Sequence, residues 1–189
     1  MCCRTKKLFL MGPARQTHLR HYCAFWTTSL GLWRAHDNYS LHTGSQPTVD
    51  APRGPALERN RAAALSMVPT TTSAASLIDI ILPKLAGRVK GCAVRVPTAS
   101  VSAVDLTCQL ASKTDVSALI MYLKTACPGI LGMTDKPLVS SDLRARPESL
   151  VIAAPQVQVM GQRMVRIFGW YDNEWGFSAR MFDVAQKML

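Results

Sequence analysis

Apolar positions along the chain follow two regimes, and the change comes near residue 42. Before it, MCCRTKKLFLMGPARQTHLRHYCAFWTTSLGLWRAHDNYSLH holds scattered aromatics and short apolar clusters with neither a sustained 3.6-residue nor a 2-residue period. Residues 1–42 are therefore expected to be unstructured or aberrant, and residues 43–189 to form the folded domain. From Thr43 to Arg61 the string TGSQPTVDAPRGPALERNR, broken by Pro and Gly, predicts a long loop with helix only near its end. Pro69 followed by Thr-Thr-Thr-Ser predicts a helix start, with Leu77, Ile80 and Ile81 as its apolar face up to Pro83. GCAVRVP and VSAVDLTCQL predict strands, the second through the alternation of Val101, Ala103, Leu106, Cys108 and Leu110, broken once. A helix is predicted over Thr114–Ala126, where Thr114 and Asp115 supply the cap and Val116, Leu119, Ile120 and Leu123 recur at helical spacing. Further strands are predicted at 137–142, 149–154, 156–159 and 163–171, and a closing amphipathic helix at 175–188. The strands do not alternate regularly with helices. The expected class is α+β: a mixed, largely antiparallel sheet with helices packed on one face and a long C-terminal helix.

A length of 189 residues suits one ordinary domain, and 48% hydrophobic with 18% charged residues is globular composition. No apolar run approaches the roughly 18 residues that would cross a bilayer. The net charge of +10 would suggest nucleic acid, were it not concentrated in the head. There Arg4, Lys6, Lys7, Arg15, Arg20 and Arg34 face the single acid Asp37. Beyond it no basic stripe is interleaved with exposed aromatics, so neither nucleic acid nor membrane is an expected partner. Cys2 and Cys3 are adjacent, and Cys92, Cys108 and Cys127 lie inside apolar or helical patterns, which is no disulfide framework. A reducing compartment, the cytoplasm, fits best. LFLM is too short for a secretory signal, while the basic head leaves a transit peptide as an alternative despite Pro13. His18, His21 and Cys23 lack a fourth ligand at suitable spacing, so no metal site is expected.

Neither a G-x-G-x-x-G fingerprint nor a P-loop occurs in the chain. It does carry residues suited to phosphate: Thr43, Arg59, Arg61, Thr72 and Arg95, placed on a loop, at a helix start and on a strand. Guanidinium forks match two phosphate oxygens, and hydroxyls donate to a third. Taken singly, each reads more readily as a solvated charge or a cap than as a phosphate ligand.

Four segments in order, RAAALSMVPTTTSAAS, AVRVPTASVSAVDLT, PGILGMTDKPLVSSD and WYDNEWGFSARMFD, resemble the catalytic domain of phosphorylating glyceraldehyde-3-phosphate dehydrogenases, with erythrose-4-phosphate dehydrogenase as a close relative. The resemblance runs from about Thr43 to the C-terminus. It implies a glycolytic oxidoreductase that turns an aldehyde phosphate into an acyl phosphate through a thioester, with NAD or NADP as hydride acceptor and tetramers built through this domain's sheet and the Pro-rich loop after Thr43. It further implies Thr43 and Arg95 at the substrate-phosphate site, Arg59 and Thr72 at or near the inorganic-phosphate site, and Asn173 on the nicotinamide carboxamide, since an amide offers donor and acceptor together. The N-terminal cofactor-binding domain of the family is expected to be absent from this chain, with no cofactor bound tightly.

Departures from the family are concentrated where its chemistry lies. Ser73 and Ser76 stand where Gly and Lys are usual, and Ser40 stands where the general-base His is expected. The Ser-Cys-Thr-Thr-Asn string around the nucleophile is missing; Cys2, Cys3 and Cys23 do not replace it. His42 lies two positions from Ser40, about 6 to 7 Å along an extended chain and out of reach of the same partner. No catalytic residue is therefore assigned. The head nevertheless permits the family sequence in other reading frames. Third-base codons from Gly12 to Thr17 permit Ser-Cys-Thr-Thr-Asn, and second-base codons from His36 to Leu41 permit Met-Thr-Thr-Ile-His-Ser. The expectation is an inactive piece of an aldehyde-phosphate dehydrogenase, its head translated out of frame. The alternative is a non-enzymatic remnant or oligomer-interaction module.

Overall fold

The computed structural model describes residues 36–41, 46–51, 55–72, 78–80 and 83–189. Thr43, His18, His21 and the N-terminal cysteines lie outside the described residues, as do the targeting and reading-frame expectations for residues 1–35.

The expected α+β architecture is present. Strands β1 (His36–Leu41), β2 (Val68–Thr70), β3 (Gly91–Val96), β4 (Ser102–Gln109), β5 (Leu131–Thr134), β6 (Leu150–Ala153), β7 (Gln158–Met160) and β8 (Met164–Tyr171) form one eight-stranded sheet among the described residues. Its order is β2-β3-β1-β4-β8-β6-β5, with β7 also paired to β8. The β1–β3 and β5–β6 pairs are parallel and the others antiparallel. Helices α1 (Val116–Ala126) and α2 (Trp175–Met188) complete the framework.

Alternation decides the faces. On β4 and β8, Val104, Leu106, Cys108, Val165, Ile167 and Tyr171 enter the main core, where they meet Leu119 and Leu123 of α1, Ile78, and Leu85. Asp115 caps α1 by accepting a hydrogen bond from the Ala118 amide at 2.8 Å, which fixes the first turn and aims its apolar stripe at the sheet. A second, smaller core lies elsewhere: Val101, Leu143 and Val151, with Leu138 and Trp170 against them. Helix α2 is held differently. The Arg180 guanidinium, 7% exposed, binds Asp183 at 2.7 Å and reaches Ser149 Oγ and the carbonyls of Gly129 and Pro147.

Three expectations need correction. First, the sheet begins before residue 42: β1 lies inside the sheet between β3 and β4. Backbone ladders on both sides hold it, and such pairing requires no side-chain period, which is why the pattern of HDNYSL did not reveal it. Second, Pro69 does not open a helix. It sits in β2 at the sheet's edge, where a residue without an N–H is tolerated; residues 78–80 are helical. Third, 137–142 is not a strand. Asp142 Oδ2 accepts from the Val139 amide at 2.9 Å and winds Ser140–Leu143 into a 3-10 turn, while the strand is the earlier Leu131–Thr134. That strand is short and contains Gly132, where a Cβ would come within 3.1 Å of the Glu148 side chain.

Candidate functional site

Register gathers one end of the sheet. Ser40 pairs with Arg95 across β1–β3, Tyr39 with Ala103 across β1–β4, and Ser102 with Tyr171 across β4–β8. The C-terminal ends of β1, β3 and β8 and the start of β4 therefore coincide. Arg95 and Asn173, 78 positions apart in sequence, reach this end from different strands, with Ser40 in the register between them. Three strand spacings of about 4.8 Å separate the β3 and β8 positions, roughly 14 Å in all. Val101 lies at the same end with φ 66 and is buried; a β-branched residue in that left-handed region is strained and persists only where its surroundings enforce it.

Arg59 and Thr72 are brought together along β2. Val68 pairs with Arg95, so β2 runs away from the sheet end, and Thr72 comes about 13 Å further along an extended chain. Arg59 follows Glu58 in the 3-10 turn Leu57–Asn60; its Nη2 donates to Thr70 Oγ1 at 3.1 Å and to Thr71 Oγ1. The fold thus brings Arg59 to the threonines next to Thr72. Nearby, Arg61 Nε donates to Asp50 at 3.1 Å, and Asp50 also accepts from the Ala62 amide at 2.7 Å. The Ala62 bond first, then Arg61, holds the Asp50 carboxyl below its usual range. Arg61 is thereby tied to the loop.

Asn173 lies two residues beyond the end of β8 and is 8% exposed, and its Oδ1 is buried without a hydrogen-bond partner. A buried acceptor left unsatisfied is costly, so this atom suits a ligand that brings an N–H. The carboxamide of a nicotinamide does so. Sequence reasoning missed the neighbour, Asp172, 7% exposed. Its Oδ1 accepts from the Glu174 amide at 3.1 Å and from Trp175 at 2.9 Å, and its Oδ2 from Ala145 at 2.9 Å. The signal was legible: an Asp just before a helical run is a capping pattern. Among the described residues, no three His, Cys, Asp or Glu gather as a metal site, and no helix is long and apolar enough to cross a membrane.

Comparison with known proteins is consistent with this frame. Residues 40–173 match the family model described as glyceraldehyde 3-phosphate dehydrogenase, C-terminal domain. The chain is 48% identical over 151 residues to a glyceraldehyde-3-phosphate dehydrogenase of Cereibacter sphaeroides, covering 78% of this chain and 45% of the relative. It is 45% identical over 151 residues to that of Xanthobacter flavus, again 78% and 45%. With a chloroplastic glyceraldehyde-3-phosphate dehydrogenase A of Chlamydomonas reinhardtii the figures are 44% over 149 residues, 77% of this chain and 40% of the relative. The chain spans less than half the length of these relatives. It belongs to the glyceraldehyde 3-phosphate dehydrogenase family, and what it shares with that family is the C-terminal domain.

Proposed function

We propose that this chain is the phosphate-holding, catalytic-type half of an aldehyde-phosphate dehydrogenase that no longer completes the reaction by itself. The observation that supports this reading is that Arg95 and Asn173 lie toward the same end of the sheet, with Ser40 in register beside Arg95. Arg95, with Thr43, binds the substrate phosphate through charge-assisted hydrogen bonds; Arg59 and Thr72 serve the inorganic phosphate. Asn173 Oδ1 orients the carboxamide of NAD or NADP, whose bound ring supplies the hydride acceptor. The register position of Ser40 is where the family's base belongs. A serine hydroxyl does not take a proton near neutral pH as an imidazole does, so base catalysis is lost there. The placement of His36–Leu41 as a sheet-interior strand also supports a reading-frame origin of the head: Asp and Asn are poor strand formers, whereas the Met-Thr-Thr-Ile-His-Ser permitted by the shifted codons is strand-like.

Titration of the full chain with glyceraldehyde 3-phosphate, followed by calorimetry, tests the phosphate assignment. Arg95→Ala is expected to weaken binding about tenfold or more, the loss of a charged hydrogen-bonding group. Equal binding by the variant removes Arg95 from the site. NAD-dependent turnover that thiol alkylation abolishes would overturn the inactive reading. The second reading, an interaction module, is favoured by one observation: Trp175, Met181, Phe182 and Met188 of α2 are exposed. Association with family subunits in size-exclusion chromatography is its test, and a monomer that ignores them counts against it.

A further inference from the structure

Asp172 joins the start of the final helix to the loop before β6. Its backbone carbonyl accepts from the Gly176 amide at 3.1 Å, the first i+4 bond of the final helix. One carboxylate oxygen accepts from the Glu174 and Trp175 amides, so the helix N-terminus closes on a negative charge, which its dipole favours. The other oxygen accepts from the Ala145 amide, 27 residues away. Ala145 has φ 59, a left-handed conformation that a non-glycine residue adopts only under constraint. The loop bearing it is itself fixed: Asp142 closes its turn, and Leu143 is buried with Val101 and Val151 beneath the sheet end. Asn173, the next residue, has the orphaned Oδ1.

We propose that Asp172 is a positioning residue for Asn173: by pinning the start of α2 to the Ala145 loop it holds the Asn173 amide in place, already desolvated, for an N–H donor. This rests on the reading of Asn173 as the carboxamide contact and extends it to the carboxylate that sets its orientation. The cost of ordering an otherwise free amide is met before the ligand arrives, and that preorganisation is where the affinity comes from. Asp172→Asn separates the two attachments, since its remaining oxygen still caps the helix while its amide nitrogen opposes the Ala145 N–H. Asp172→Ser likewise keeps a capping oxygen and loses the reach to Ala145.

The test uses the full chain, isotope-labelled, with nicotinamide itself as probe and nicotinic acid, which has no amide N–H, as control. In the wild-type chain the Asn173 side-chain amide resonances shift with nicotinamide and not with nicotinate. In both Asp172 variants the apparent affinity falls about tenfold, and the Asn173 side chain loses order on the nanosecond scale. Hydrogen-exchange protection at Val165 and Ile167 stays as in wild type. Unchanged Asn173 order in the variants overturns the proposal. So does a loss of sheet protection in step with the loss of binding, which would make Asp172 merely structural. No response to nicotinamide in the wild-type chain would instead remove the carboxamide reading, while the Asn173 order comparison still decides the part played by Asp172.

Discussion

Buried or half-buried charge in this domain is used to join segments. Arg180 ties α2 to the chain before β5 and β6, Asp172 ties it to the loop under the sheet end, and Arg166 forks onto Asp105 between β8 and β4 with contacts of 2.6 to 3.0 Å. Asp105 is thereby a cross-strand ion-pair partner. Glu148 gives the pH consequence. Burial, the largest single influence, pushes its carboxyl up, but the Arg146 hydrogen bonds, the Glu148 backbone amide and the charges of Arg146 and Arg180 together outweigh it and hold the carboxyl below the ordinary 4.5. A depressed carboxyl pKa stabilises the fold fully above the unfolded-state value, and that contribution is lost as pH falls through the lower folded-state value. Glu148→Gln is therefore expected to leave a shallower fall of stability on acidification below about pH 4.5, seen as Tm against pH, with little curvature change at neutral pH. An acid limb identical to wild type would remove Glu148 from it. Of the candidate ligands, Arg59, Thr72, Arg95 and Asn173 were legible as residues from motif order. Their division into two phosphate sites came from the family resemblance; the distances along β2 and across the ladder are not a property of spacing in sequence.

At the scale of elements, strong periods were legible and weak ones were not. Leu119 and Leu123 sit on the buried face of α1 that their spacing predicts, and the alternation in β4 and β8 sorts residues to the faces it implies. Residues 36–41, 68–70 and 131–134 are strands because neighbours supply the pairing; their own sequences are short, polar or carry Pro or Gly. Close approach between β8 and β6 adds a constraint of this kind at Gly169, where a Cβ would lie 2.9 Å from Leu150 Cδ1 and 3.1 Å from the Val151 carbonyl oxygen. The carbonyl cannot yield without loosening the ladder. Gly169→Ala is expected to destabilise by about 1–3 kcal/mol, measured by denaturant unfolding at an unchanged m value. A neutral effect would show that β6 gives way freely.

Over the whole molecule, the main core is enclosed between the sheet and α1, whereas α2 shows apolar side chains outward. Phe182 is 65% and Met181 53% exposed. Phe182→Lys with Met181→Lys is expected to change stability by less than about 0.5 kcal/mol, and to reduce self-association measured by light scattering at raised concentration. A collapse in Tm would mean that these side chains are packed in solution. What the sequence determined by itself was the fold class, the family resemblance and the core faces of the strongly periodic elements, because period and motif order are local properties of the string. Tertiary structure alone decided that residues 36–41 belong inside the sheet, that Arg95 and Asn173 share one end of it, that Arg59 is bonded to Thr70 and Thr71, and that Asp172 joins helix to loop. Each of these depends on which backbone groups of distant segments hydrogen-bond to one another, and local sequence does not encode that pairing.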